Sequence, residues 1–124
     1  MMFKKIFWGI PLLLTACYQQ ERNCTDYKTG KFEFTQEIDG TIEKSVFERT
    51  ETLQIETFRG KTDTSSVRWV NDCEFILQKI HPKNRAEKKA VQMKILTTTA
   101  TGYNFEYSFV GETHKQKGTV IKLN

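Results

Sequence analysis

Residues 31–49 read KFEFTQEIDGTIEKSVFER, and this stretch decides the fold. Phe32 and Phe34 fall on one face of an extended chain, while Glu33 and Thr35 fall on the other. Alternation with a period of two marks a strand, because successive side chains point to opposite faces. Asp39-Gly40 then interrupts the pattern. Asp-Gly between two alternating runs signals a two-residue hairpin, since a type I′ turn needs positive φ, which glycine accepts readily. The return strand is Thr41 to Arg49, with Ile42 and Val46 sharing a face.

The pattern continues downstream. Thr50-Glu51 marks a break, after which Leu53 and Ile55 alternate with Thr52, Gln54 and Glu56. Arg59-Gly60-Lys61 turns the chain into a fourth strand, Thr64 to Val70, which carries Val67 and Trp69 together. Asn71-Asp72 ends it, and Cys73, Phe75 and Leu77 alternate with Glu74 and Gln78 in a fifth. Residues 82–90, PKNRAEKKA, are polar and helix-tolerant, so they predict a long loop with a short helical turn. A sixth strand spans Val91 to Thr99 with Met93 and Ile95 inward. Gly102 leads into Tyr103, Phe105, Tyr107 and Phe109, four aromatics on one face. A polar stretch, Gly111 to Gly118, precedes a last strand, Thr119 to Leu123.

About eight short strands separated by glycine or polar turns predict an all-β domain over residues 30–124, an up-and-down antiparallel barrel or sandwich. Closure removes the exposed edges that a lone meander leaves open to pairing with other chains.

The amino terminus predicts where the domain lives. Met1-Met2-Phe3-Lys4-Lys5 is a short positive segment, followed by the apolar run Ile6 to Leu14 and then Leu14-Thr15-Ala16-Cys17. A charged segment, a short apolar segment and small residues before a cut point describe a cleaved signal peptide over residues 1–16. The apolar run is far shorter than the ~20 residues of a spanning helix, and Pro11 within it disfavours a permanent helix. Leu-Thr-Ala-Cys resembles the bacterial lipobox, which implies acylation of Cys17, for example with palmitate. Each acyl methylene contributes about 0.8 kcal/mol, so several chains on Cys17 anchor the protein in a membrane. The sorting rule of enteric lipoproteins retains proteins with Asp after the cysteine in the inner membrane. Tyr18 stands there instead, which favours the outer membrane.

Residues 17–29 are polar beyond the cysteine and read as a lipid-anchored tether. Without Lys4 and Lys5 the mature chain has 17 basic and 15 acidic residues, a net +2 rather than +4. That is an ordinary solubility value and not the footprint of a nucleic-acid binder. Two cysteines remain, Cys24 and Cys73. An oxidising compartment allows a disulfide between them, worth about 4 kcal/mol in the chain-entropy model; two separate buried thiols are the alternative.

No catalytic constellation, cofactor motif or metal-ligand spacing stands out. His81 and His114 sit beside turn residues, and neither has a second ligand at a metal-like spacing. His81 with Cys73 is the nearest approach to a zinc pair. Carboxylates such as Glu43 and Glu48 read as solvent-facing. The segment 79–89 holds Lys79, Lys83, Arg85, Lys88 and Lys89 against Glu87, a basic loop for a partner or simply a solvated one. The aromatic set Phe32, Phe34, Trp69, Tyr103, Phe105, Tyr107 and Phe109 either fills a core or lines a ligand cavity, because an eight-stranded barrel has room for side chains or for one small ligand.

Three stretches carry a resemblance: Tyr27-Lys28-Thr29-Gly30-Lys31-Phe32, Gln54-Ile55-Glu56-Thr57-Phe58, and Val67-Arg68-Trp69-Val70-Asn71-Asp72-Cys73-Glu74-Phe75. They are similar to a family of small envelope lipoproteins from Bacteroidetes whose members often bear the label "DNA topoisomerase IV". The residues contradict that label, since the chain is short, has no phosphate-binding loop and carries an export signal. The resemblance implies an envelope location and no established activity. The Trp69, Cys73, Phe75 spacing also resembles lipocalin-like envelope domains, at the level of fold only. The expectation is therefore a lipocalin-like binding module for a small apolar ligand, without enzymatic activity. The alternative is an accessory subunit of an envelope protein complex.

Overall fold

A computed structural model describes residues 22–124 of the chain. The expected signal peptide, Cys17 and the first part of the tether lie outside the described residues. Eight antiparallel strands follow one another around a closed barrel. They are β1 (Gly30–Ile38), β2 (Thr41–Arg49), β3 (Leu53–Phe58), β4 (Lys61–Asn71), β5 (Glu74–Lys79), β6 (Val91–Thr98), β7 (Gly102–Phe109) and β8 (Gln116–Lys122). The barrel closes where β8 returns to β1, pairing Phe32 with Lys122 and Phe34 with Val120. The architecture is the up-and-down barrel and not the sandwich.

Turn chemistry fixes the register. Asp39 and Gly40 both adopt positive φ, 52° and 80°, so β1 and β2 are joined by a two-residue turn with Ile38 opposite Thr41. Arg59 and Gly60 repeat the device, with φ of 52° and 77°. This second tight turn brings β4 back to Lys61, earlier than the sequence pattern indicates, with Phe58 opposite Lys61. Mirror pairing about each turn decides which face of β2 and β3 points inward. Phe32 lies opposite Phe47 and Phe34 opposite Ser45, so the inward row of β2 is Ser45, Phe47 and Arg49. The apolar face expected from Ile42 and Val46 points outward, and Ile42 is 63% exposed. In β3 the buried residue is Gln54, not its apolar neighbours Leu53 and Ile55, which are half-buried.

The expected tether is shorter than residues 17–29. Cys24–Tyr27 forms a 3-10 turn, and both of its terminal residues are buried in the barrel core. The Tyr27 hydroxyl donates to the Thr99 carbonyl at 2.6 Å, and the Asn23 backbone N–H donates to Thr98 Oγ1 at 2.9 Å. Cys24 is bonded to Cys73 with a Cα–Cα distance of 5.2 Å. The turn is thereby stitched across the end of the barrel where β1 begins. At the other end, residues 80–90 are folded rather than loose, with a single 3-10 turn at Ala86–Lys88. Asn84 Oδ1 accepts the Glu87 N–H and Glu87 Oε1 accepts the Lys83 N–H, both at 2.9 Å, a reciprocal cap that satisfies two backbone donors.

Candidate ligand cavity

The inward rows of eight strands form three layers along the barrel axis. The lowest layer is solid. Phe32 stacks on Phe47 with centroids 5.1 Å apart, Trp69 packs on Phe75 at 4.4 Å, and Tyr103 meets Tyr27 edge-on at 5.5 Å. Arg49 lies in the middle of these rings and is 1% exposed. Its guanidinium carbon stands 4.5 Å from the Phe75 centroid, 4.8 Å from Phe32 and 5.3 Å from Phe47. Ring faces carry partial negative charge and attract a cation at such distances, most strongly where water is absent.

Three hydrogen bonds hold the guanidinium. Nε donates to Gln54 Oε1 at 3.1 Å, Nη1 to the Tyr27 carbonyl at 2.9 Å, and Nη2 to the Tyr103 hydroxyl at 2.7 Å. No carboxylate among the described residues pairs with it. Burial pulls the Arg49 pKa below its ordinary value, against the support of Tyr103. Burial likewise pushes the Tyr103 phenol up, against the pull of Arg49. The upward push keeps the phenol neutral, and arginine does not give up its proton in proteins, so a cation and a neutral phenol stand side by side.

Above this floor the barrel is hollow. A cavity of about 200 Å³ is walled by Phe34, Phe47, Phe105, Tyr107, Met93 and Leu77, among others, with Arg49, Gln54 and Tyr103 at its inner end. Glu56 also faces it and makes no ion pair or hydrogen bond among the described residues. Gly118 makes the space possible. A Cβ there would stand 2.7 Å from Phe34 Cε1 and 2.8 Å from Phe105 Cζ, so only glycine lets both rings lie against β8.

The third layer is the mouth. An outer chamber of about 350 Å³ shares Gln54, Glu56 and Leu77 with the inner cavity. It is bounded by Asp63, Lys79, Glu87, Lys89, Val91 and Phe109 together with Ala86 of the folded loop. Lys79 Nζ bridges Asp63 at 2.7 Å and Glu87 at 3.6 Å, tying that loop to β4. The basic segment 79–89 is thus partly engaged in covering the mouth.

Of the seven aromatic residues expected at a cavity, Phe34, Tyr103, Phe105 and Tyr107 line the inner one. Phe109 borders the outer chamber and is largely exposed. Phe32 and Trp69 belong to the solid floor. Sequence reasoning missed Phe47, Arg49, Gln54 and Glu56, although the Asp39-Gly40 turn carried the signal. A two-residue turn sets Arg49 opposite Gly30, on the Phe32 face. Glu43, expected to face solvent, is on the inward row at the rim, where Arg59 Nη2 holds it at 2.8 Å. Glu48 does face outward. Cys73 is engaged in the disulfide, which removes the zinc pair with His81, and both histidines are exposed.

Comparison with family models, with curated proteins and with solved structures found no match.

Proposed function

We propose that the chain is a lipid-anchored lipoprotein of the cell envelope, in the outer membrane, whose barrel is a non-catalytic module binding a small apolar ligand. The observation that carries this reading is the hollow middle layer. Solid cores are packed like organic crystals, with few voids larger than a water molecule. A 200 Å³ space walled largely by aromatic and aliphatic side chains, sharing Gln54, Glu56 and Leu77 with a wider chamber, supports the reading as a ligand site. The lipobox at Cys17 supports the anchor. The Cys24–Tyr27 turn lies at the solid end of the barrel, opposite the mouth.

The test has two arms. Fractionation of cells expressing the wild-type chain and Cys17→Ser is expected to find only the former in membranes. Native mass spectrometry of the purified mature chain is expected to show a small apolar molecule bound, or uptake of octan-1-ol. A chain that is ligand-free and indifferent to octan-1-ol would sink the binding reading. A second reading, an accessory subunit of an envelope complex, draws on the outer face. There Val46 and Ile121 are exposed on either side of Glu33. Crosslinking in membranes that recovers one protein on this face would support it.

A further inference from the structure

We infer that the ligand carries a carboxylate, and that its head is received at the inner end of the cavity by Arg49, Tyr103 and Gln54. The inference rests on the reading of the barrel as a binding module and names the chemistry of what it binds.

Unengaged donors outnumber unengaged acceptors around Arg49. A guanidinium has five N–H groups, three of which are engaged, so one on Nη1 and one on Nη2 remain. The Tyr103 hydroxyl accepts from Arg49, and its own proton has no acceptor among the described residues. Gln54 accepts through Oε1, and its amide N–H groups donate to nothing there. In the same floor the buried Trp69 Nε1–H also lacks a partner. Ser45 Oγ, farther along the inward row of β2, is also buried without a partner and can donate or accept, but around Arg49 itself the unengaged groups are donors. Buried polar groups are normally satisfied, and each exception calls for an explanation.

Charge points the same way. A cation removed from water is costly unless something of opposite sign meets it. Arg49 has ring faces and neutral oxygens but no anion. It is also shut off from bulk solvent, and no carboxylate among the described residues, Glu56 included, stands within ion-pairing distance of it, so an anion entering the cavity would be its partner. A guanidinium presents a planar fork of donors that matches a carboxylate. The walls beyond the head position are Phe34, Phe105, Met93, Leu77 and Tyr107, which suit an alkyl chain running toward the mouth.

Glu56 limits the charge of the occupant. It stands in the same wall, two residues along β3 from Gln54 and opposite Phe47. One negative head beside Arg49 is offset by the guanidinium, whereas a second negative charge faces Glu56 uncompensated. A monocarboxylate is therefore favoured over a dianionic phosphate monoester.

The experiment is a head-group series at constant chain length. Octanoate, octan-1-ol, octylammonium and octyl phosphate are titrated by calorimetry into the mature chain as purified from membranes and held in amphipol. Titration into empty amphipol is subtracted. Charge-assisted hydrogen bonds are about twice as strong as neutral ones, so octanoate is expected to bind roughly tenfold or more tighter than octan-1-ol. Octyl phosphate and octylammonium are expected to be weaker than octanoate. Tyr103→Phe keeps the ring and is expected to weaken octanoate several-fold with octan-1-ol unchanged. Glu56→Gln is expected to tighten octyl phosphate most. Equal affinity for octanoate and octan-1-ol, or a preference for octylammonium, overturns the carboxylate assignment and leaves the cavity reading standing. Binding of none of the four overturns both.

Discussion

Replacing Arg49 by methionine removes the group around which the solid end of the barrel is arranged. Three acceptors lose their donor: the Tyr27 carbonyl at 2.9 Å, Gln54 Oε1 at 3.1 Å and the Tyr103 hydroxyl at 2.7 Å. Hydrogen bonds to charged groups contribute about 1.5–3 kcal/mol each. Against that loss stands the desolvation of a guanidinium, several kcal/mol per buried ion. Arg49 is 1% exposed, so it bears this cost in the folded state, and burial lowers its pKa accordingly. Methionine also recovers packing, because an unbranched thioether fits among aromatic rings. Gln54 and Tyr103, 9% and 2% exposed, are each left short of a partner, as is the Tyr27 carbonyl. The balance is a loss of about 2–4 kcal/mol, a large fraction of the 5–15 kcal/mol typical of a domain. Equilibrium unfolding in urea with the disulfide intact measures it, through a lower midpoint at unchanged slope. Arg49→Lys keeps the charge, but a compact ammonium cannot meet three separated acceptors, so it should fall between the two. Arg49→Met at or above wild-type stability would refute the reasoning, since the burial cost of the cation would then exceed everything the network returns.

Loss of the disulfide in Cys24→Ala/Cys73→Ala frees a loop spanning a separation of 49 residues. The chain-entropy model gives about 4 kcal/mol for such a loop, and a thermal midpoint lower by roughly 15–30 °C in scanning calorimetry. A drop of only a few degrees would mean that the Tyr27 and Asn23 hydrogen bonds hold the turn unaided. Gly118→Ala places a methyl against the Phe34 and Phe105 rings, which can yield only toward the cavity. It should cost about 1 kcal/mol in stability and weaken octan-1-ol by a larger factor; unchanged octan-1-ol affinity in calorimetry places the ligand elsewhere. The Asn71 amide, 2.9 Å away, holds the Glu74 carboxyl below the ordinary range against burial, with further help from the Gln92 amide, Lys94 and Lys115. A depressed carboxyl stabilises above its unfolded pKa, and that contribution disappears as pH falls through the folded value. Glu74→Gln should therefore flatten the acid side of a stability-against-pH curve and leave its neutral region nearly unchanged in slope.

The strand count was legible because turns and alternation agree. Asp39-Gly40, Arg59-Gly60 and Gly102 each sit where the chain reverses or a strand begins, and Phe32, Phe34, Phe75, Ile95, Tyr103 and Phe105 all point inward as their period indicates. Composition left Cys24 and Cys73 as the only disulfide candidates past Cys17, with two free thiols as the alternative, and the bond is formed. Which face of β2 and β3 points inward was not legible, for a physical reason. Choosing the face richer in apolar residues assumes that the inside is apolar throughout. Here Ile42, Val46, Leu53 and Ile55 point away from the axis, while Arg49, Gln54 and Glu56 point along it.

That inversion ties the fold to its chemistry. Along the inward rows, β6, β7 and β8 contribute Met93, Ile95, Phe105, Tyr107 and Val120, an apolar arc. Across the axis, β2, β3 and β4 contribute Ser45, Arg49, Gln54, Glu56, Asp63 and Ser65 beside Phe47, Val67 and Trp69, a markedly more polar arc. Two apolar arcs would close on each other and exclude water from the middle layer. A polar arc facing an apolar one resists that collapse, because its groups would be desolvated without enough partners. Arg49 is desolvated successfully at the solid end because five rings, a carbonyl, an amide and a phenol surround it. One layer up, Glu56 has no such shell, and the barrel stays open beside it. The residues that hid the inner face in the sequence are thus those that keep it hollow, and the guanidinium just below gives the hollow its sign.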